Sequence, residues 1–115
     1  YVSSITEIHH AQKIDAPSGT AVTLAKDLIS NHPTYSSWKL IGQSENMEKS
    51  DLQISAIREE NVPGTHLISY TSEIDTLTIE HQAHNRKGFA LGAVIAAEFI
   101  HKKQGVYTMS DILKF

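Results

Sequence analysis

The sequence predicts an α+β domain: a mixed four-stranded sheet with helices on one face, in the order β-α-β-β-β-α. Three observations lead there. Two stretches carry apolar residues at helical spacing, four short runs have strand character, and 115 residues suit one domain with little room for a second. Hydrophobic residues make up 40% and charged residues 20% of the chain, an ordinary globular composition and too apolar for disorder throughout.

The elements follow in order. Tyr1 to His10, with Val2, Ile5, Thr6 and Ile8, reads as a strand of imperfect alternation. Asp15-Ala16-Pro17-Ser18-Gly19 is a turn, because Pro restricts φ, Gly relaxes it, and Asp and Ser cap backbone amides. Ala21, Leu24, Ala25 and Leu28 then fall at i, i+3, i+4 and i+7 and predict a helix, which Asn31-His32-Pro33 stops. Thr34 to Asp51 is polar and without period, and is expected to be a long surface loop anchored by Trp38 and Leu40. Strands are predicted over Leu52 to Arg58, Thr65 to Ser72 and Leu77 to Ala83, the last two joined as a hairpin through Glu73-Ile74-Asp75-Thr76. A second helix is expected from Arg86 to Lys103, with Phe89, Ala93, Ala96, Phe99 and Ile100 as its apolar set. The tail from Val106 to Phe115 is amphipathic enough to pack on something. The helices can cover only part of the sheet, and a half-apolar open face invites oligomerisation.

Composition excludes several classes. Ten Lys and Arg against thirteen Asp and Glu give a net charge of −3, so charge predicts neither nucleic-acid nor anionic-membrane binding. The absence of cysteine removes disulfide scaffolds, thiolate metal sites and cysteine nucleophiles, and fits a reducing compartment. No apolar run approaches the roughly 20 residues that span a bilayer. The chain opens on Tyr1 rather than Met, without a signal peptide, and is expected to be a piece of a longer protein. No two of its six glycines are separated by a single residue, which excludes a Gly-x-Gly-x-x-Gly dinucleotide loop, and no Gly-Lys-Ser/Thr occurs, which excludes a Walker A loop.

The chemistry concentrates between Glu7 and Ala21. His9 and His10 stand at a strand end, where neighbouring side chains point to opposite sides. Lys13 follows and brings a positive charge, and Ser18-Gly19-Thr20 opens a helix whose free amides and dipole favour an anion. Each feature alone reads as strand-end polarity or an ordinary N-cap. Their convergence describes a pocket for a small anion with a proton donor beside it. A metal centre is not expected: His81 reads as a strand residue, and on a strand i and i+3 (His84) face opposite ways, and no His-Glu-x-x-His pattern occurs. Serine hydrolysis lacks its Gly-x-Ser-x-Gly elbow.

The segment Glu7 to Ala21 resembles the E-x-H-H-x-x-K-x-D-A-P-S-G-T-A signature of the bacterial dihydrodipicolinate reductases, also called 4-hydroxy-tetrahydrodipicolinate reductases. His81 to Ala93 is similar to the family's H-x-A-x-x-R-x-x-F-A-x-G-A stretch, and Gly105 to Met109 to its closing segment. The resemblance implies an NADH- or NADPH-dependent cytoplasmic oxidoreductase of lysine and diaminopimelate biosynthesis that reduces a cyclic dicarboxylate. It implies residues 1–100 as the substrate-binding and tetramerisation domain of a homotetramer. Residues 101–115 would pack on an N-terminal Rossmann domain that lies outside this sequence and binds most of the cofactor. By the same resemblance His9 and Lys13 match the catalytic residues, and His10, Ser18, Gly19 and Thr20 match the substrate-binding ones. Arg86 and Phe89 are the candidates for cofactor contact in this segment, and the metal complement is none. A reduced ring needs a proton from a group of near-neutral pKa, and two carboxylates need cationic or amide partners. Pro63-Gly64-Thr65-His66 departs from the family's V-G-E-H and is expected to lie away from the chemistry. The alternative is a non-catalytic oligomerisation or dicarboxylate-binding module that kept the signature.

Overall fold

The computed structural model describes residues 1–43 and 46–113. The chain divides into two compact units, Tyr1–His84 and Asn85–Phe115. The first holds strands β1 (Val2–His9), β2 (Ser37–Leu40), β3 (Asp51–Arg58), β4 (Gly64–Thr71) and β5 (Thr76–Ala83), with helix α1 (Gly19–Asn31) between β1 and β2. The second holds helices α2 (Lys87–Ile100) and α3 (Met109–Leu113).

The α+β class and the mixed sheet stand as the sequence predicts, but the sheet has five strands in the order β2-β3-β1-β4-β5. β2 and β3 run parallel to each other and to β1, while β4 and β5 are antiparallel additions. The extra strand, β2, lies within the stretch expected to be loop. Four residues are too few to display a period, and their strand character comes from the parallel pairing of Ser37 to Leu40 with Asp51 to Ile54. The two anchors expected there do pack on the core: Leu40 is buried and Trp38 partly so.

Burial along β1 alternates without a break. Ser3, Ile5, Glu7 and His9 are buried, while Ser4, Thr6 and Ile8 are only partly covered. The buried set faces α1, whose Ala21, Ala25 and Leu28 join Ile5, Leu52, Ile54, Leu40 and Tyr35 in one apolar cluster. Each large aliphatic side chain taken fully from water stabilises this packing by about 1.5–3 kcal/mol. Tyr35 also reaches across to β1, where its hydroxyl accepts from Ser3 N at 2.6 Å. Below the start of β3, the buried Asp51 carboxylate is held by Lys39 Nζ, Ser37 Oγ and Glu48 N at 2.7, 2.6 and 2.8 Å. Those donors, Lys39 first, hold its pKa down at about 2.

Register extends the α1-facing side of the sheet outward. Ile5 pairs with Ile68 and Ile68 with Ile79, and Tyr70 pairs with Leu77. Ile68 and Tyr70 pack against the core, but Ile79 and Leu77 on β5 are 55% and 58% exposed.

In the second unit α2 ends at Ile100, three residues short of the expectation, and Lys102 turns away at φ 60°. Phe99 and Tyr107 meet edge to face at 5.5 Å, and Lys103 Nζ sits 3.1 Å from the centre of the Phe99 ring. The Asp111 carboxylate caps α3 by accepting from the amide and hydroxyl of Thr108. Among the described residues no helix is long and apolar enough to cross a membrane.

Candidate active site

The site forms where the last buried residues of β1 meet the start of α1. Glu7 lies on the α1-facing side of the sheet in step with Ile5 and is 0% exposed. Its Oε1 accepts from both terminal nitrogens of Arg58 on β3, at 3.3 and 3.4 Å. Its Oε2 accepts the amide of Ser18 at 2.9 Å. A carboxylate so deeply buried stays only when charge and hydrogen bonds offset its lost hydration, and here they do. Arg58 also donates to the carbonyls of Lys13 and Asp15, at 3.3 and 2.7 Å, so the same guanidinium braces the loop between β1 and α1. The Ala16–Pro17 bond in that loop is cis.

Ser18 is the N-cap of α1 and accepts Ala21 N on its hydroxyl at 3.2 Å. The first intrahelical bond runs from Val22 N to Ser18 O, so the amides of Gly19 and Thr20 precede the ladder and point outward from the helix start. Gly19 and Thr20 are exposed, and a Cβ on Gly19 would meet nothing within 4 Å. Open space, free amides and the positive end of the dipole coincide there, which is what a small carboxylate requires.

His9 is 8% exposed and its Nδ1, without a hydrogen-bond partner among the described residues, stands 3.7 Å from Glu7 Oε2. Burial lowers the His9 pKa below the usual 6.5, and Glu7 opposes that drop while Lys13, Arg58 and His10 deepen it. His66 on β4 meets His9 edge to face at 5.0 Å, with its Nε2 3.2 Å from Ser18 Oγ and 3.9 Å from Glu7 Oε2. Burial, followed by the neighbouring His9, lowers the His66 pKa as well. Gly64, one turn of the pleat before His66, approaches His9 so closely that a Cβ would stand 3.2 Å from His9 Nε2.

The expected residues thus divide. His9 and Ser18 come together through Glu7 and His66, and Gly19 and Thr20 form the rim of the same helix start. Lys13 is drawn to Asp15, Nζ to Oδ1 at 2.8 Å. That pairing holds the Asp15 carboxyl below its usual range. His10 is half-buried just beyond β1, with Nδ1 buried and unpartnered among the described residues. Arg86 and Phe89 belong to the second unit, Arg86 as N-cap of α2 and Phe89 half-exposed within it. The expectation that Pro63 to His66 lies away from the chemistry is corrected: Gly64 and His66 are part of the cluster. The antiparallel register that pairs Glu7 with His66, and the parallel one that pairs His9 with Arg58, bring these residues in. Neither register is written in local sequence.

Glu7, His9 and His66 each offer one ligand atom within 4.8 Å of the others. Arg58 already pairs with Glu7 Oε1, and the Ser18 amide donates to Oε2. Among the described residues no strand-to-helix link carries a Gly-x-Gly loop. The link from β1 to α1 offers only Gly19 at the helix start, and Gly88 sits inside α2.

The chain is 48% identical over 113 residues to the 4-hydroxy-tetrahydrodipicolinate reductase of Christiangramia forsetii, covering 98% of this chain and 46% of that protein. It is 39% identical to the enzyme of the same name from Thermosipho africanus, over 96% of this chain and 42% of that one. Among solved structures it is similar to the dipicolinate-bound dihydrodipicolinate reductase from Paenisporosarcina sp. TG-14, with a TM-score of 0.64 and 26% identity, over 96% of this chain and 44% of that chain. The chain spans less than half the length of these relatives. Residues 1–113 match the family described as dihydrodipicolinate reductase, C-terminus, and the chain belongs to that family.

Proposed function

We propose that this chain is the substrate-binding part of a 4-hydroxy-tetrahydrodipicolinate reductase of the cytoplasm, working as a homotetramer in lysine and diaminopimelate biosynthesis. The observation that carries the reading is the open α1 start at Gly19 and Thr20 standing beside the buried imidazole of His9. One carboxylate of a cyclic dicarboxylate would sit on the amides of Gly19 and Thr20. Lys13 would exchange Asp15 for substrate, and His10 would help to orient the ring. His9 would deliver the proton that completes reduction, since imidazole is the side chain whose proton moves near neutral pH. The reduced nicotinamide, NADH or NADPH, supplies hydride and is held mainly by a domain outside this chain, with Arg86 and Phe89 as the contacts from this side. The solved relative named as bound to dipicolinate supports the ligand class. The exposed Leu77 and Ile79 on β5 supply apolar surface for subunit pairing.

The test is a reductase assay on the full-length protein, followed by loss of reduced nicotinamide. Turnover of the cyclic dicarboxylate is expected from the whole protein, and neither turnover nor nicotinamide binding from the 115 residues alone. A full-length protein that binds pyridine-2,6-dicarboxylate without reducing substrate would establish the non-catalytic alternative.

A further inference from the structure

Glu7 is a fully buried carboxylate that no step of the proposed reaction uses. At its place on β1 an aliphatic side chain like Ile5 would fill space without the cost of burying a charge. Its two oxygens have separate tasks. Oε1 is clasped by Arg58, which fixes the carbonyls of Lys13 and Asp15 at the same time. Oε2 accepts the amide of Ser18, the residue that opens α1, and faces His9 Nδ1 and His66 Nε2 at 3.7 and 3.9 Å. One carboxyl group therefore hydrogen-bonds the frame of the anion pocket and stands 3.7 Å from the imidazole assigned to proton delivery. Resting on the reductase reading above, we propose that Glu7 is the positioning residue of this site, locking the α1 start and His9 into one geometry, with Arg58 as its brace.

The charged and titratable groups facing His9 are Glu7 from β1, His10 and Lys13 from the segment after it, Arg58 from β3 and His66 from β4. Glu7 is the one anion among them. Removing its charge leaves His9 among cations and imidazoles, so His9 would give up its proton at lower pH. Shortening it keeps the charge but withdraws the acceptor from Ser18.

The experiment measures kcat and KM against pH in the full-length enzyme carrying Glu7→Gln or Glu7→Asp, normalised to folded protein. In Glu7→Gln the alkaline limb of kcat, where the donor loses its proton, is expected to move down by about one pH unit, a loss of about tenfold in turnover above it. In Glu7→Asp the limb is expected to move less and KM for the dicarboxylate to rise severalfold. A folded Glu7→Gln enzyme with the wild-type limb overturns the positioning role. Where Glu7→Gln fails to fold, the Asp variant decides: a raised KM supports the role, and wild-type KM overturns it. Failure of both variants to fold assigns Glu7 to stability alone and also overturns it. A full-length wild type without reductase activity ends the reductase reading and this role together, whereas active wild type with unchanged variants ends only the role of Glu7.

Discussion

The α1-facing side of the sheet has two ends that are equally buried and built from opposite chemistry. At one, Ile5, Leu52 and Ile54 are fully enclosed against Ala21, Ala25 and Leu28. At the other, two residues along the same strand, Glu7 and His9 are enclosed with Ser18 and the partly covered Arg58 and His66. The first arrangement is what burial favours unaided. The second costs desolvation at each polar group and is held together by the Glu7–Arg58 pair and the amide of Ser18. Three of the four inward residues of β1 (Ser3, Glu7 and His9) are polar, and Glu7 joins that face to the open start of α1 through the amide of Ser18.

The largest expected effect on the apolar end comes from Ile54→Ala. Cutting a fully buried isoleucine to alanine should cost about 2–5 kcal/mol of stability, read by denaturant unfolding, while kinetics per folded molecule stay at the wild-type level. Altered kinetics at normal stability would show that the two ends are not separable.

A smaller effect sharpens the polar end. His9 and His66 are both held below the usual 6.5 by burial. Below 6.5 the unfolded chain therefore binds more protons than the folded one until the native imidazoles titrate. Their contribution is full above pH 6.5 and is lost as pH falls through the native values. The full-length protein is expected to melt several degrees lower at about pH 5 than at about pH 7.5, with His66→Asn flattening part of that slope. A Tm independent of pH across this range would contradict the lowered His9 and His66 pKa values.

Much of this was legible in the sequence because it is local. Ser18-Gly19-Thr20 after a proline turn announces a capped helix start from adjacent residues alone, and His9 sits where a strand must end. The imperfect hydrophobic alternation of β1 was itself the signal for Glu7: burial alternates faultlessly, and it is Ser3, Glu7 and His9 on the inward face that spoil the hydrophobic count. Arg58, Gly64 and His66 were not legible, since they lie 51 to 59 residues from Glu7 in sequence and reach it only through strand pairing. Tyr35 and β2 escaped for a related reason: a four-residue strand and a lone tyrosine in a polar stretch acquire their burial from β3 and Ser3 rather than from their neighbours.

The central claim is that the helix start binds the dicarboxylate while His9 delivers the proton, and steady-state kinetics on folded full-length variants test it most directly. His9→Ala should lower kcat by about 10²–10⁴-fold with little change in KM, because a proton donor acts in the transition state. Thr20→Val should instead raise KM and leave kcat nearly intact, and Lys13→Ala should harm both. Wild-type turnover in a folded His9→Ala enzyme would contradict the assignment outright.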